Sequence, residues 1–282
     1  MVEKEKIAKT EYEIVVPESS ILRHICHLIE PGQSVTKLRV IDSCRWPLPT
    51  WQLGSFYLAN IGEKENPLFL ELRFEEASKG IWIALLMTNE RTPHDLELMA
   101  QRLIDKIHQK GIYFFKAVIG IEALGSKLSQ EMARLQGPNT LQTTFQKGKP
   151  RIQNGSLVVG SPKTWVEISD SVMVRSGTSG EAPQAIFMDG KIAEALGDTP
   201  TVIVDDARLT SGTINGSIGL ARKMGINLVA VATVLNEAEP TEIIDNVPYV
   251  SLVKIPVFSK DCLGFHPIEG SFKGVESFYQ EV

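Results

Sequence analysis

Cysteine is scarce in this chain: three in 282 residues, Cys26, Cys44 and Cys262, with no Cys-x-x-Cys pair. That pattern excludes a disulfide scaffold and fits a reducing compartment. His24, Cys26 and His27 stand close together, but no second ligand pair follows at zinc-finger spacing, so they read as packed or solvent-facing residues. Long apolar runs are also missing. The longest clean one, Ile81 to Met87, is far too short to span a bilayer. Nor is there a basic excess: Lys and Arg number 29 against 34 Asp and Glu, a net charge of −5, which disfavours nucleic acid as the main partner. The N-terminal stretch MVEKEKIAKTEYEIVV alternates charges and lacks the apolar centre of a signal peptide. The expectation is a soluble, cytoplasmic protein with no membrane partner, in which the sequons at Asn154 and Asn215 mean little without a secretory signal. No repeat, low-complexity tract or Gly/Ser linker breaks the chain.

What is present is an ordinary globular composition, 43% apolar and 22% charged, in a chain long enough for one large domain and a smaller appendage. The pattern changes near residue 85. Before it, strand-like pieces such as EYEIVV, SFYLANI and NPLFLELRF alternate with Pro- and Gly-bearing turns, and Trp46 and Trp51 serve as packing anchors in an ordered loop. After it, helix and strand alternate. Thr92-Pro93 opens a helix with apolar positions at Leu96, Met99, Leu103 and Ile107, and Gly111 closes it. The strand AVIGIE follows, then a helix through Leu128, Met132 and Leu135 that ends at Gly137. TVIVD, a helix through Ile214, Ile218 and Ala221, and INLVAVATVL continue the rhythm. Buried apolar strands separated by helices predict an α/β fold: a Rossmann-like parallel sheet with helices on both faces. Right-handed crossovers then bring Glu122 and Asp205 to the ligand-binding edge formed by the strand C-termini.

At that edge stands TVIVDDARLTSGT, Thr201 to Thr213. Two adjacent carboxylates, Asp205 and Asp206, repel one another and need an outside reason to be neighbours. The turn after them is built of Thr210, Ser211, Gly212 and Thr213, between a strand and a helix N-terminus. Its amides, hydroxyls and helix dipole suit an anion, and Gly212 lets the backbone wrap closely around it. Carboxylates cannot hold a phosphate, but they accept hydrogen bonds from a vicinal diol, directly or through a divalent cation and its waters. A diol on one side and a phosphate on the other describe a ribose 5-phosphate.

These residues resemble the signature of type I phosphoribosyltransferases, the enzymes that use phosphoribosyl pyrophosphate (PRPP), and are most similar to the adenine or purine type of bacteria. The signature of four apolar residues and two acids is matched by Val202, Ile203 and Val204 before Asp205 and Asp206, followed after a short spacer by a Thr-Ser-Gly-Thr turn, where Ser211 stands in place of the commoner glycine. The resemblance implies that Asp205 and Asp206 hold the ribose hydroxyls and, through them or water, Mg²⁺. It places the 5-phosphate on Leu209, Thr210, Ser211, Gly212 and Thr213, with Ala207 near the base. AVIGIEALGSKL is similar to the pyrophosphate loop of the adenine type, here Ala123, Leu124, Gly125, Ser126 and Lys127, with a cis peptide expected between Ala123 and Leu124. The basic residue usual in that loop is Leu124 here. FQKGKPRIQ and VMVRSGTSGEAPQAIFMDG resemble the strand and catalytic loop that follow, with Gln146-Lys147 in place of Arg-Lys. Lys147, Lys149 and Arg175 become candidates for stabilising the leaving group, beside the reading in which they are surface cations.

The implied domains are an N-terminal α+β extension or hood over residues 1–84, a phosphoribosyltransferase domain over 85–260 and a C-terminal tail over 261–282. The implied activity is transfer of 5-phosphoribose from PRPP to a nucleobase, adenine-like purines favoured, by a homodimer. A PRPP-sensing regulator without turnover is the alternative. Residues 1–80 carry ten Lys and Arg against twelve Asp and Glu, without the basic footprint of a DNA-binding segment. A PRPP synthetase would need an ATP-binding constellation upstream, which is not seen. The base contacts are expected from the N-terminal region or from IPVF, Ile255 to Phe258, where Phe258 reads more readily as a core aromatic.

Overall fold

The structure is a computed structural model that describes residues 39–40, 50–53, 56–60, 69–78, 80–86, 88, 91–148, 150–153, 156–159, 166–167, 172–174, 184–209, 211–239, 241–261 and 264–268. The chain divides into two compact units, Met1–Arg73 with Val282, and Phe74–Glu281. In the first, β1 (Arg39–Val40), β2 (Thr50–Leu53), β3 (Phe56–Asn60) and the start of β4 (Phe69–Ser78) form an antiparallel meander. SFYLANI and NPLFLELRF thus supply strands as expected. EYEIVV and Trp46 lie outside the described residues, as does any helical part of the extension.

The second unit carries the alternating pattern. After β5 (Ile81–Leu85) come α1 (Pro93–Gln109), β6 (Ala117–Ile121), α2 (Gly125–Gln136) and β7 (Leu141–Gly148). Three short strands, β8 (Pro150–Gln153), β9 (Ser156–Val159) and β10 (Val166–Glu167), make a small antiparallel sheet. The chain continues through β11 (Val172–Val174), β12 (Gln184–Phe187), α3 (Gly190–Leu196), β13 (Thr201–Arg208) and α4 (Ser211–Lys223). It then runs through β14 (Leu228–Asn236), β15 (Ile243–Ile244), β16 (Val247–Lys254), β17 (Phe258–Asp261) and β18 (Gly264–Pro267). Helix starts follow local chemistry. Thr92 accepts the Asp95 N–H at 3.1 Å and Asp189 accepts the Lys191 N–H at 2.8 Å, each satisfying an amide that the helix cannot.

The main sheet has the order β11-β12-β7-β6-β13-β14-β16-β15. Its five central strands, β7, β6, β13, β14 and β16, are parallel, and β11, β12 and β15 pair antiparallel at the margins. One face packs Ile119, Ile121, Ile203 and Val231 against Ile214, Ile218 and Ala221 of α4. On the other, Gly120 lies against α2, where a Cβ would come within 2.6 Å of the Gly125 carbonyl and the Ser129 hydroxyl. The expected α/β sheet with helices on both faces is what forms. From β6 the chain goes out to β7 on one side, and it later returns to β13 on the other. The point between β6 and β13 is therefore a topological switch, where the crossover loops diverge and open α/β sheets form their crevice.

Candidate functional site

At the C-terminal ends of β6 and β13 the sheet splits. β13 pairs with β6 only as far as Val204 opposite Gly120, but with β14 as far as Arg208 opposite Asn236. The strand thus runs three residues beyond the expected TVIVD, because β14 continues to satisfy its backbone. Asp205 and Asp206 lie just past the last β6 pairing, 5% and 6% exposed. Asp205 Oδ1 accepts the Asp206 N–H at 3.0 Å. Burial pushes the Asp205 carboxyl well above the usual carboxylate range, the neighbouring Asp206 adds to this, and the Lys147 ammonium opposes it. Asp206 is raised for the same first reason, while hydrogen bonding from Asp205 and the Lys147 charge oppose. Asp206 Oδ2 is buried without a hydrogen-bond partner among the described residues. A buried acceptor without a donor is costly unless a ligand or water completes it.

The loop Glu122–Leu124 leads into α2, whose first residue, Gly125, lies against Asp205. Glu122 ends the strand, donating its N–H to Phe145 at 2.9 Å, and its Oε2 accepts the Lys147 N–H at 3.0 Å. The cis peptide lies between Glu122 and Ala123, one bond earlier than the Ala123–Leu124 position expected. The sheet bond at Glu122 and the helical backbone of Leu124 (φ −85°, ψ −28°) leave the turn to be made at that bond. Leu124 caps α2 without a side-chain hydrogen bond, so the first amides of the helix have no side-chain acceptor there. Gly125 is required by contact. A Cβ would stand 2.6 Å from the Val204 carbonyl oxygen and 3.2 Å from Asp205 Oδ1. Ser126 is half-buried, and Ala123 and Lys127 are exposed. Gly120→Ala is expected to destabilise the protein by about 1–3 kcal/mol, read as a lowered midpoint in urea, since its Cβ would meet α2 backbone.

Beyond the acids, Ala207 and Leu209 are partly buried and α4 begins at Ser211, with Gly212 and Thr213 in its first turn. Thr210, Lys149 and Arg175 lie outside the described residues. A strand followed by a helix, as expected of the TVIVDDARLTSGT stretch, stands at the switch point, but Ser211, Gly212 and Thr213, expected in the turn, already belong to α4; Lys147 acts on both acids from β7. IPVF is interior: Ile255 and Phe258 are 0% and 1% exposed, and Phe258 packs edge-on against Phe74 at 4.8 Å. The core reading of Phe258 holds.

Sequence reasoning missed a second set of buried polar groups at the same edge. Glu237, Lys254 and Arg208 are 5%, 3% and 6% exposed. Burial pushes Glu237 well above the carboxylate range, and the Lys254 charge opposes it. Burial likewise lowers Lys254 to about 8. The Arg208 guanidinium lies 5.2 Å above the Tyr249 ring and donates to the Glu239 carbonyl at 3.0 Å. Tyr249, whose hydroxyl is 2.6 Å from Thr233 Oγ1, is raised by burial to about 12. The available signal was that three of the parallel strands end in or run straight into charge: VDDAR, TVLNE and SLVK.

No protein-family model matches the chain and no curated protein matches its sequence. Solved structures do. Adenine phosphoribosyltransferase from Rhodothermus marinus is 18% identical, with 65% of this chain and 94% of that one covered and a TM-score of 0.45. The Saccharomyces cerevisiae enzyme, solved with adenine and an imino-altritol bisphosphate, is 12% identical, with coverages of 64% and 94% and a TM-score of 0.46. The Trypanosoma brucei enzyme, in complex with AMP, pyrophosphate and ribose-5-phosphate, is 16% identical, with coverages of 65% and 76% and a TM-score of 0.43. These structural neighbours are phosphoribosyltransferases, enzymes of the glycosyltransferase class.

Proposed function

We propose that the protein binds PRPP at the switch point and transfers its 5-phosphoribosyl group to a nucleobase, releasing pyrophosphate. The observation that carries this reading is the buried Asp205–Asp206 pair, placed past the β6 pairing on the strand that leads into α4. In this reading the two carboxylates accept the ribose hydroxyls. Leu209 to Thr213 take the 5-phosphate on amides and hydroxyls, and the uncapped N-terminus of α2 takes the pyrophosphate. The donor set suits Mg²⁺, which keeps waters and substrate oxygens and takes few protein carboxylates. Asp205 and Asp206 would hold it through the ribose hydroxyls or water, and the ion would neutralise charge on the departing pyrophosphate. Nothing in the site needs a nucleophilic side chain, because aligning the nucleobase nitrogen with the anomeric carbon and stabilising the leaving group suffice. The favoured acceptor is an adenine-like purine, and the acting species a cytoplasmic homodimer, which sedimentation would read.

Lys147 supplies positive charge near the acids. Lys147→Met is expected to lower turnover by roughly a hundredfold, as for loss of one preorganised charge-stabilising group. Steady-state kinetics with saturating base would measure it.

A second reading has its own observation. Leu124, partly buried and at the helix cap, stands where a cation is usual in the resembling loops. That favours a sensor, which binds PRPP without consuming it. One experiment separates the two: pyrophosphate release from PRPP with Mg²⁺ across a panel of purine and pyrimidine bases. Release with one class of base supports the transferase. Binding without release for every base supports the sensor.

A further inference from the structure

The candidate pyrophosphate loop is held from behind by a strap of chain that no motif marks. Glu237, just past β14, accepts the Ala84 N–H on both carboxylate oxygens, at 3.2 Å each, while its own N–H donates to the Arg208 carbonyl at 2.8 Å. One residue therefore ties the end of β5, through its side chain, to the last residue of the acid-bearing strand, through its backbone N–H. Farther along the strap, Thr88 is fully buried and donates its hydroxyl to the Leu124 carbonyl. Between these anchors the Leu86 carbonyl accepts Arg91 Nε at 2.8 Å, and the Arg91 N–H returns to the Thr88 carbonyl at 3.3 Å. The strap then passes into the capped start of α1 at Thr92.

The Leu124 carbonyl shares a planar peptide with the Gly125 N–H, and in a trans peptide the two point in opposite directions. Fixing one aims the other. The Gly125 N–H is the first amide of α2, among those with no acceptor inside the helix. Its residue also lies against Asp205, where no Cβ would fit. A hydroxyl buried behind this peptide sets the direction of an amide in front of it.

We propose that Thr88 is a positioning residue for a diphosphate-bearing ligand, that it acts by orienting the Leu124–Gly125 peptide, and that Glu237 holds the strap carrying it. The inference rests on the PRPP reading of the site. It gives Glu237 a role that packing alone does not, since a buried carboxylate on a distant amide is a costly way to fasten two strands.

The test compares three ligands on the full chain with Mg²⁺ by calorimetry: PRPP, inorganic pyrophosphate and ribose 5-phosphate. Thr88→Val, which keeps the shape and removes the hydroxyl, is expected to weaken PRPP and pyrophosphate about tenfold, in line with one charge-assisted hydrogen bond, and to leave ribose 5-phosphate unchanged. Thr88→Ser is expected to restore both. An equal loss for all three ligands, or no loss for any, overturns the proposal. If Thr88→Val melts below the assay temperature, Glu237→Gln carries the same selective expectation. A wild-type protein that binds ribose 5-phosphate as tightly as PRPP overturns this inference alone. One that binds none of the three overturns the PRPP reading and this inference with it.

Discussion

Replacing Asp205 and Asp206 together by asparagine is expected to abolish PRPP binding and, at the same time, to make the protein more stable at neutral pH. Both effects come from one fact. The two carboxyls are buried side by side, and their pKa values are raised, chiefly by burial. When a folded-state carboxyl has a pKa above its unfolded value near 4, the unfolded chain ionises first as pH rises. Stability contributed by these groups is therefore undiminished below pH ~4 and falls as pH climbs toward the raised values. Asparagine does not titrate, so the double variant loses that slope. It keeps a side-chain oxygen that can accept the hydrogen bond Asp205 Oδ1 now receives from the residue-206 amide. A gain of about 1–2 kcal/mol at pH 7.5 is expected, within the range of stabilising changes at functional sites. Thermal melts of both proteins at pH 5 and pH 7.5 measure it: the gap between them should widen with pH. A variant that melts lower at both values and still binds PRPP would contradict the diol assignment and the burial argument together.

The second large effect is at Gly125. Gly125→Ala is expected to reduce PRPP affinity and turnover by at least about a hundredfold, the loss attached to a displacement near 1 Å in a reacting geometry. The added methyl would stand 2.6 Å from the Val204 oxygen and 3.1 Å from Asp205 Cα. Both are backbone atoms of β13 and cannot rotate away, so α2 must move off the strand. Overpacking of this kind costs about 1–3 kcal/mol of stability as well. The variant should remain folded, which circular dichroism would verify, while calorimetry and pyrophosphate release report the loss. Near-normal kinetics would show that the closeness of α2 to the acids is not what the site uses.

How much of this was legible in the sequence depends on the range of the interactions involved. The parallel core was legible because buried strands write themselves as runs such as AVIGI and TVIV, whose period differs from that of the helices between them. The cap at Thr92 and the start of α4 after TVIVDDARL are local chemistry, readable within a few residues. Asp205 and Asp206 were legible because two acids at the end of an apolar strand are improbable on packing grounds. Glu237 was not, since its partner Ala84 lies 153 residues away and nothing in TVLNEAE marks the pairing. Thr88 was hidden for the same reason: its acceptor is a backbone carbonyl across the fold. Lys254 ends an ordinary apolar strand, and only burial beside Glu237 makes its charge matter. The cis bond was misplaced by one residue because a motif specifies a loop and not the register in which strand and helix hydrogen bonds close it.

The central claim is that the switch point between β6 and β13 is a PRPP site. Equilibrium titration of the full chain with PRPP, with Mg²⁺ and again with a chelator, tests it most directly. The account predicts one PRPP per chain, weakened on chelation and lost in the Asp205→Asn, Asp206→Asn variant. Failure of the folded wild-type protein to bind either PRPP or ribose 5-phosphate at millimolar concentration would contradict it.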